Sequence, residues 1–142
     1  MRFLVDTNVF SEPTKPRPDP AVLEWLASQP TESRAVSAIS VGEAALGIEL
    51  LAPGKRRTSL QQWLKILIRD HFGNRVLPVT RRVALAWGRI MAAEQKRGRK
   101  VPLLDGLLLA TAAVYDLTII TRNERDFEDR GVPVINPWRV AK

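Results

Sequence analysis

The sequence predicts a three-layer α/β/α domain, an α/β fold on a mostly parallel central sheet. Three observations lead there. Short apolar runs recur along the chain, segments with helical spacing separate them, and two of the runs, ending at Val5 and Ile120, stop abruptly in polar residues. Strands joined by helical crossovers are the pattern of a parallel sheet covered on both faces. A chain of 142 residues has the length of one ordinary domain and buries roughly two-thirds of its unfolded surface, so one domain over 1–142 is expected.

Taken in order, residues 2–5 form a buried strand that ends in Asp6-Thr7-Asn8. After the Pro-rich loop 13–20 comes a helix with Asp19 as N-cap, Pro20 at its first position, and Val22, Leu23, Trp25 and Leu26 turned inward. Residues 34–39 read as the second strand. Helical spacing of Val41, Ala44, Ala45, Ile48 and Leu51 predicts a helix opened by Ser40 and stopped by Pro53-Gly54. Thr58 starts the next helix, with Leu60, Trp63, Leu64, Leu67 and Ile68 on one side, closed by Gly73-Asn74. Residues 75–79 make a short strand that Pro78 pushes to a sheet edge. Thr80 caps a long amphipathic helix through Lys96, carrying Val83, Leu85, Trp87, Ile90 and Met91 and ended by Gly98. Pro102 opens the apolar helix 103–115, and strands follow at 117–120 and 132–135.

Composition excludes several chemistries. Cysteine is absent and His71 is the one histidine, so a zinc cage, a Cys nucleophile and a Cys/His pair are ruled out by count. His71 itself reads as a surface residue at a helix C-terminus. No apolar run approaches the ~20 residues that span a bilayer, which argues against a membrane protein. The apolar N-terminal stretch is broken by Asp6 and lacks a cleavage site, so no secretory leader is expected and the expected compartment is the cytoplasm. Charge is unevenly spread. Between Lys55 and Lys100 stand 13 Lys and Arg against Asp70 and Glu94, a net of +11, while the rest carries 9 basic and 13 acidic residues, a net of −4. A basic middle attracts polyanions, nucleic acid above all; a solvated helix face is the plainer reading. Trp63 and Trp87 lie at apolar helical positions, which favours core or dimer packing over base stacking.

Four segments carry acids that can do chemistry. Asp6 ends a buried strand at the carboxyl edge, where open α/β sheets bind ligands. Asp105 is the lone charge in the helix 103–115, where Leu103, Leu104 and their neighbours would bury it on nearly every side. Either it meets a partner there or it offsets the helix dipole. Glu43 completes Ser40-Val-Gly-Glu43, a capping-box pattern, so it is either a cap or a ligand. Asn123, Glu124 and Asp126 follow the strand 117–120 and reach the same edge as Asp6. Carboxylates converging without His or Cys suit Mg²⁺ or Mn²⁺, and beside a basic face they suggest phosphodiester hydrolysis.

Leu4-Val-Asp6-Thr7-Asn8-Val9, Ser37 to Glu43, Asp105 to Ala112, and Thr121-Arg122-Asn123 with Asp126-Phe127 together resemble the ordered motifs of PIN-domain ribonucleases, in particular VapC-type toxins and the FitB-like group. The resemblance runs from Met1 to Trp138. It implies a parallel sheet and a Mg²⁺-dependent endoribonuclease site. It also implies control by a VapB-type antitoxin, homodimers or larger toxin–antitoxin assemblies, and DNA contact through the antitoxin only. Asp6, Glu43 and Asp105 match the metal-holding acids of the family, and Asp126 is the candidate fourth catalytic acid. Asn8 matches the residue that supports the first Asp, and with Arg122 and Asn123 it is a candidate substrate contact; Asn123 also stands where some relatives carry an Asp. Two other classes stay open: a receiver-like phosphoacceptor, which lacks its acidic pair and late Lys here, and a FitB-like regulatory binding protein without turnover.

Overall fold

The computed structural model describes residues 1–139; the expected domain 1–142 therefore includes three residues outside the described ones. The chain runs β1 (Phe3–Val5), α1 (Thr7–Phe10), α2 (Pro20–Ser28), β2 (Arg34–Ser37), α3 (Ala38–Glu49), α4 (Lys55–Ile66), β3 (Val76–Leu77), α5 (Arg81–Lys96), α6 (Leu103–Tyr115), β4 (Thr118–Ile120) and β5 (Val134–Ile135). All five strands are parallel in the order β3-β2-β1-β4-β5. The predicted fold class is the one observed. No helix among the described residues is long and apolar enough to cross a membrane.

Strand alternation divides the interior. Phe3, Val5, Val36 and Ile120 face one way, packing on Val9, Trp25, Ile48, Leu64 and Phe72. Leu4, Ala35, Leu77 and Ile119 face the other way, packing on Leu108, Leu109 and Phe127. A sheet buried on both faces needs apolar residues at every position rather than at alternate ones, and β1 is buried throughout. The sheet grows from β1 through β2 to β3 on one side and through β4 to β5 on the other. Its topological switch point thus lies between β1 and β4, in register at Phe3 with Thr118 and Val5 with Ile120.

Several boundaries differ from the sequence prediction. One turn of helix, α1, follows β1 directly; four residues are too few to show a period. α3 begins at Ala38, three residues before the predicted start at Val41, because the Ser37 hydroxyl, not Ser40, accepts a cap bond, from the Ile39 N–H at 3.0 Å. The Ser40-to-Glu43 capping box is therefore absent, and Ser40 lies buried inside the helix with its Oγ unpartnered. α4 starts at Lys55 instead of Thr58, whose N–H is already bonded to the Gly54 carbonyl at 3.1 Å. It continues as a π-turn over Leu67–Phe72 and ends at Gly73, where φ is +51°, a value that favours glycine. Exposed His71 lies in that turn. Pro78 terminates β3, which is an edge strand. Leu23, Leu51 and Leu85, expected inside, are exposed, Leu85 at 59%; α5 contacts the core through a narrower stripe centred on Val83 and Ala86. Trp63 packs in the interior beside Phe10, with ring centroids 6.3 Å apart.

α5 and α6 form the most extensive helix contact, and Gly106 permits it. A Cβ there would lie 2.8 Å from Met91 Sδ and 3.0 Å from Trp87 Nε1. Met91 can swing away, whereas the indole is rigid. Overpacking costs about 1–3 kcal/mol, against about 1 kcal/mol gained from replacing a helical Gly by Ala. Gly106→Ala is expected to lower Tm by a few degrees in a thermal melt, with Gly106→Val falling further.

Candidate active site

Asp6 directly follows β1, at the switch point between β1 and β4. Its carboxylate sits at the end of β1, buried at 9% exposure, and three neighbours fix its orientation. Oδ1 accepts the Thr7 N–H at 2.8 Å, while Oδ2 accepts the Thr121 hydroxyl at 2.8 Å and the Asn8 amide at 3.4 Å. Asn8 Oδ1 in turn accepts the Arg122 N–H at 3.2 Å, tying α1 to the loop after β4. Thr121 is wholly buried and also accepts the Asn123 N–H at 3.0 Å. Thr7 and Thr121 carry no role in the sequence reading; the available signal was a hydroxyl just past the end of a buried strand, beside Asp6 for Thr7 and after Ile120 for Thr121.

Glu43 comes from the second turn of α3, with its Oε1 accepting the Thr7 hydroxyl at 3.4 Å. Asp105 projects from the first turn of α6. It is half-buried rather than enclosed, because Leu103 (57% exposed) and Leu104 face outward where the helix start overhangs the sheet. Asp126, Arg122 and Asn123 are exposed on the loop after β4.

Electrostatics tie the acids into one cluster. Burial pushes the Asp6 carboxyl above its usual range, with Asp126 adding to the rise and the Thr121 and Thr7 bonds opposing it. Glu43 is raised by burial and by the charges of Asp6 and Asp105. Asp105 is raised by burial and then by Asp126 and Asp6, with Arg130 acting the other way. Three segments thus bring their carboxylates within Coulombic reach of Asp6, and like charges so placed resist ionising together. Among the described residues, no three acidic or histidine side chains converge tightly enough to coordinate one ion directly. The donor set still fits an oxygen-seeking dication that keeps several waters and takes only one or two carboxylates directly. Such an ion would relieve the repulsion that lifts these three carboxyls.

Two further acids, Glu12 and Glu94, are buried at 3% exposure. Glu94, in the last turn of α5, accepts Arg130 Nε at 2.6 Å and Arg99 at 2.8 Å. Arg130 also donates to the carbonyls of Arg125 and Asp126. It therefore clamps the turn that carries Asp126 and places its positive charge near Asp105.

An all-parallel sheet with acids gathered at the carboxyl end of its central strand defines a fold class shared by the PIN domains. The PIN domain family model matches residues 3–132, and the chain belongs to this family. Within it, the chain is 38% identical over 136 residues to Toxin FitB of Neisseria gonorrhoeae, covering 96% of this chain and 98% of that protein. It is 36% identical over 139 residues to VapC ribonuclease Y4jK of Sinorhizobium fredii, covering 98% and 99% respectively. The crystal structure of FitAcB from Neisseria gonorrhoeae superposes with TM-score 0.92 at 38% identity over 97% of this chain and 99% of that one. A structure of FitAB bound to a DNA fragment gives TM-score 0.92 at 36% identity over 99% and 98%.

Proposed function

We propose that this chain is a Mg²⁺-dependent endoribonuclease toxin, with Mn²⁺ as a possible substitute, held in check by a VapB-type antitoxin. The observation that carries this reading is the group of carboxylates from β1, α3, α6 and the β4 loop gathered at the switch point, of which Asp6, Glu43 and Asp105 are raised by burial and by the like charges around them. Relatives named as a toxin and as a VapC ribonuclease support it.

Asp6, Glu43 and Asp105 are the residues that would hold the ion, directly or through water. When bound, it supplies Lewis acidity toward the scissile phosphate and a more acidic water. Thr7, Asn8 and Thr121 hold the Asp6 carboxylate in one orientation. Whichever of Glu43 and Asp105 meets the ion through water rather than directly is placed to take up the proton the attacking water loses. Asp126 adds negative charge to the cluster, and Arg122 and Asn123 lie beside it to meet the RNA backbone. Basic residues between Lys55 and Lys100 would hold flanking phosphates.

The relatives' structures FitAcB and FitAB support assembly of this chain with an antitoxin into a toxin–antitoxin hetero-oligomer; the toxin subunits are proposed to pair as homodimers or in such a larger assembly. One of those structures holds DNA, which favours a second reading, a regulatory complex that contacts DNA through the antitoxin. RNA cleavage separates the two. Antitoxin-free protein incubated with total RNA and Mg²⁺ is expected to give discrete fragments that disappear in EDTA. Intact RNA from folded protein that still binds the dication would favour regulation.

A further inference from the structure

Beyond the acid cluster, the loop after β4 and the segment after β5 enclose a groove of about 510 Å³, with Asp126 on its wall. Its floor is a pre-arranged aromatic and cationic platform. The Arg122 guanidinium lies 5.0 Å from the centroid of the Trp138 ring. Asn136, 8% exposed, fixes both members of this pair. Its Oδ1 accepts the Trp138 N–H at 2.9 Å, and its amide donates to the Arg122 carbonyl at 3.3 Å and to Glu124 at 3.2 Å. On the active-site side, the Arg122 N–H is bonded to Asn8, which itself holds Asp6. Platform and acid cluster are thus joined through one short run of backbone. Among the described residues, Arg139 pairs with Glu124, whereas neither Arg122 nor Arg125 has a carboxylate within ion-pair distance.

We propose that this groove is a nucleotide subsite, in which a base of single-stranded RNA next to the scissile bond stacks on the Arg122–Trp138 pair and Arg125 meets its phosphate. The proposal rests on the ribonuclease reading above. Guanidinium and indole faces accept any base by stacking, and unpaired cations beside them accept the backbone charge. A single nucleotide offers both features together. Of the four tryptophans, Trp25 is buried in the core, Trp63 packs partly buried against it, and Trp87 packs against Gly106 between α5 and α6; Trp138 also packs partly buried against the core, and it alone lines this groove with Arg122, Arg125 and Asp126.

The test uses full-length protein in a Glu43→Gln background, so that RNA binds without being cut. The probe is a short single-stranded RNA spanning a mapped cleavage site, with an abasic ribose placed at successive positions. One abasic position beside the scissile bond is expected to weaken binding about tenfold. Trp138→Ala should weaken binding of the intact RNA by the same factor and add nothing on that abasic RNA. Arg125→Gln should reduce the slope of log Kd against log salt by about 0.7. The abasic series needs no change at Trp138, so it decides the matter even if that variant is unstable. RNA that is bound equally well whichever base is missing would overturn the subsite alone. Parent protein that yields no cleavage site to map would overturn the ribonuclease reading, and the subsite with it. Loss of a co-expressed antitoxin in Trp138→Ala, with RNA binding intact, would overturn the subsite in favour of a protein-docking face.

Discussion

Asp6→Asn is expected to reduce RNA cleavage at least about a hundredfold while making the dication-free protein more stable at neutral pH. Two effects of one carboxylate diverge here. For cleavage, the substitution removes the most buried and most firmly oriented acid of the cluster. For folding, it removes a charge that burial and Asp126 disfavour. The sign follows from proton binding. Because the folded carboxyl titrates above its ordinary value of 3.8, the stability present below that value is lost as pH rises through the raised folded pKa. Asparagine keeps the Thr7 bond through its oxygen and can donate to the Thr121 hydroxyl, and what it gives up is the long 3.4 Å bond from Asn8, where two amide NH2 groups would meet. Melting in EDTA at pH 7 should show Tm a few degrees above the parent, about the shift that 1 kcal/mol produces at this size. That advantage should vanish toward pH 3. Equal activity of the variant and parent would remove Asp6 from the mechanism; a large Tm loss at pH 7 would mean its hydrogen bonds outweigh the repulsion.

Glu94→Gln is expected to be the most destabilising of the substitutions considered. An acid in the last turn of a helix is opposed by the helix dipole, and burial raises its carboxyl further. Bonds from Arg130 and Arg99 outweigh both and hold it below the usual range. Arg97, 3.7 Å away and 63% exposed, contributes little, and Arg99, at 2.8 Å and 37% exposed, is the more solvated of the two arginines that bond the carboxylate. Arg130, with its side chain 12% exposed, is the partner that would be left buried and unpaired. Breaking such a pair from one side costs about 3–5 kcal/mol, which puts the expected Tm loss near 10 °C. Urea unfolding of Glu94→Gln beside the double variant Glu94→Leu/Arg130→Met separates charge from packing: the double variant should recover much of the loss. Since Arg130 also holds the Arg125 and Asp126 carbonyls, cleavage should fall in the single variant even below its melting range. In the parent, this contribution is present above pH 4.5, the ordinary glutamate value, and is lost as pH falls through the depressed folded pKa.

Much of this molecule is legible in its residues. The alternation of apolar runs and helical spacing gives the layers, the parallel sheet and the edge placement of β3 at Pro78. Strand ends give the position of Asp6. The local patterns were least reliable where a pattern had two meanings. Ser40 to Glu43 has the spacing of a capping box, yet Ser37 caps α3 and leaves Glu43 directed to Thr7. Apolar residues at 85, 103 and 104 suggest burial, but whether a helix face is covered depends on the neighbour it meets and on how far it overhangs the sheet.

The sequence by itself determined that the chain is an α/β domain, that any metal it holds must be bound by oxygen, and which acids stand at strand and helix ends. These follow from period, count and residue type, all of which are local properties. Tertiary structure alone decided that the acids from four segments feel one another, that Thr121 at the end of β4 orients Asp6, that Glu94 anchors Arg130 behind Asp126, and that Trp138 lies under Arg122. Each of these joins residues far apart in the chain, across strands whose order is set by packing of the whole sheet. Distances and burial of that kind are created only when the layers close, and they turn a set of separate carboxylates into one site.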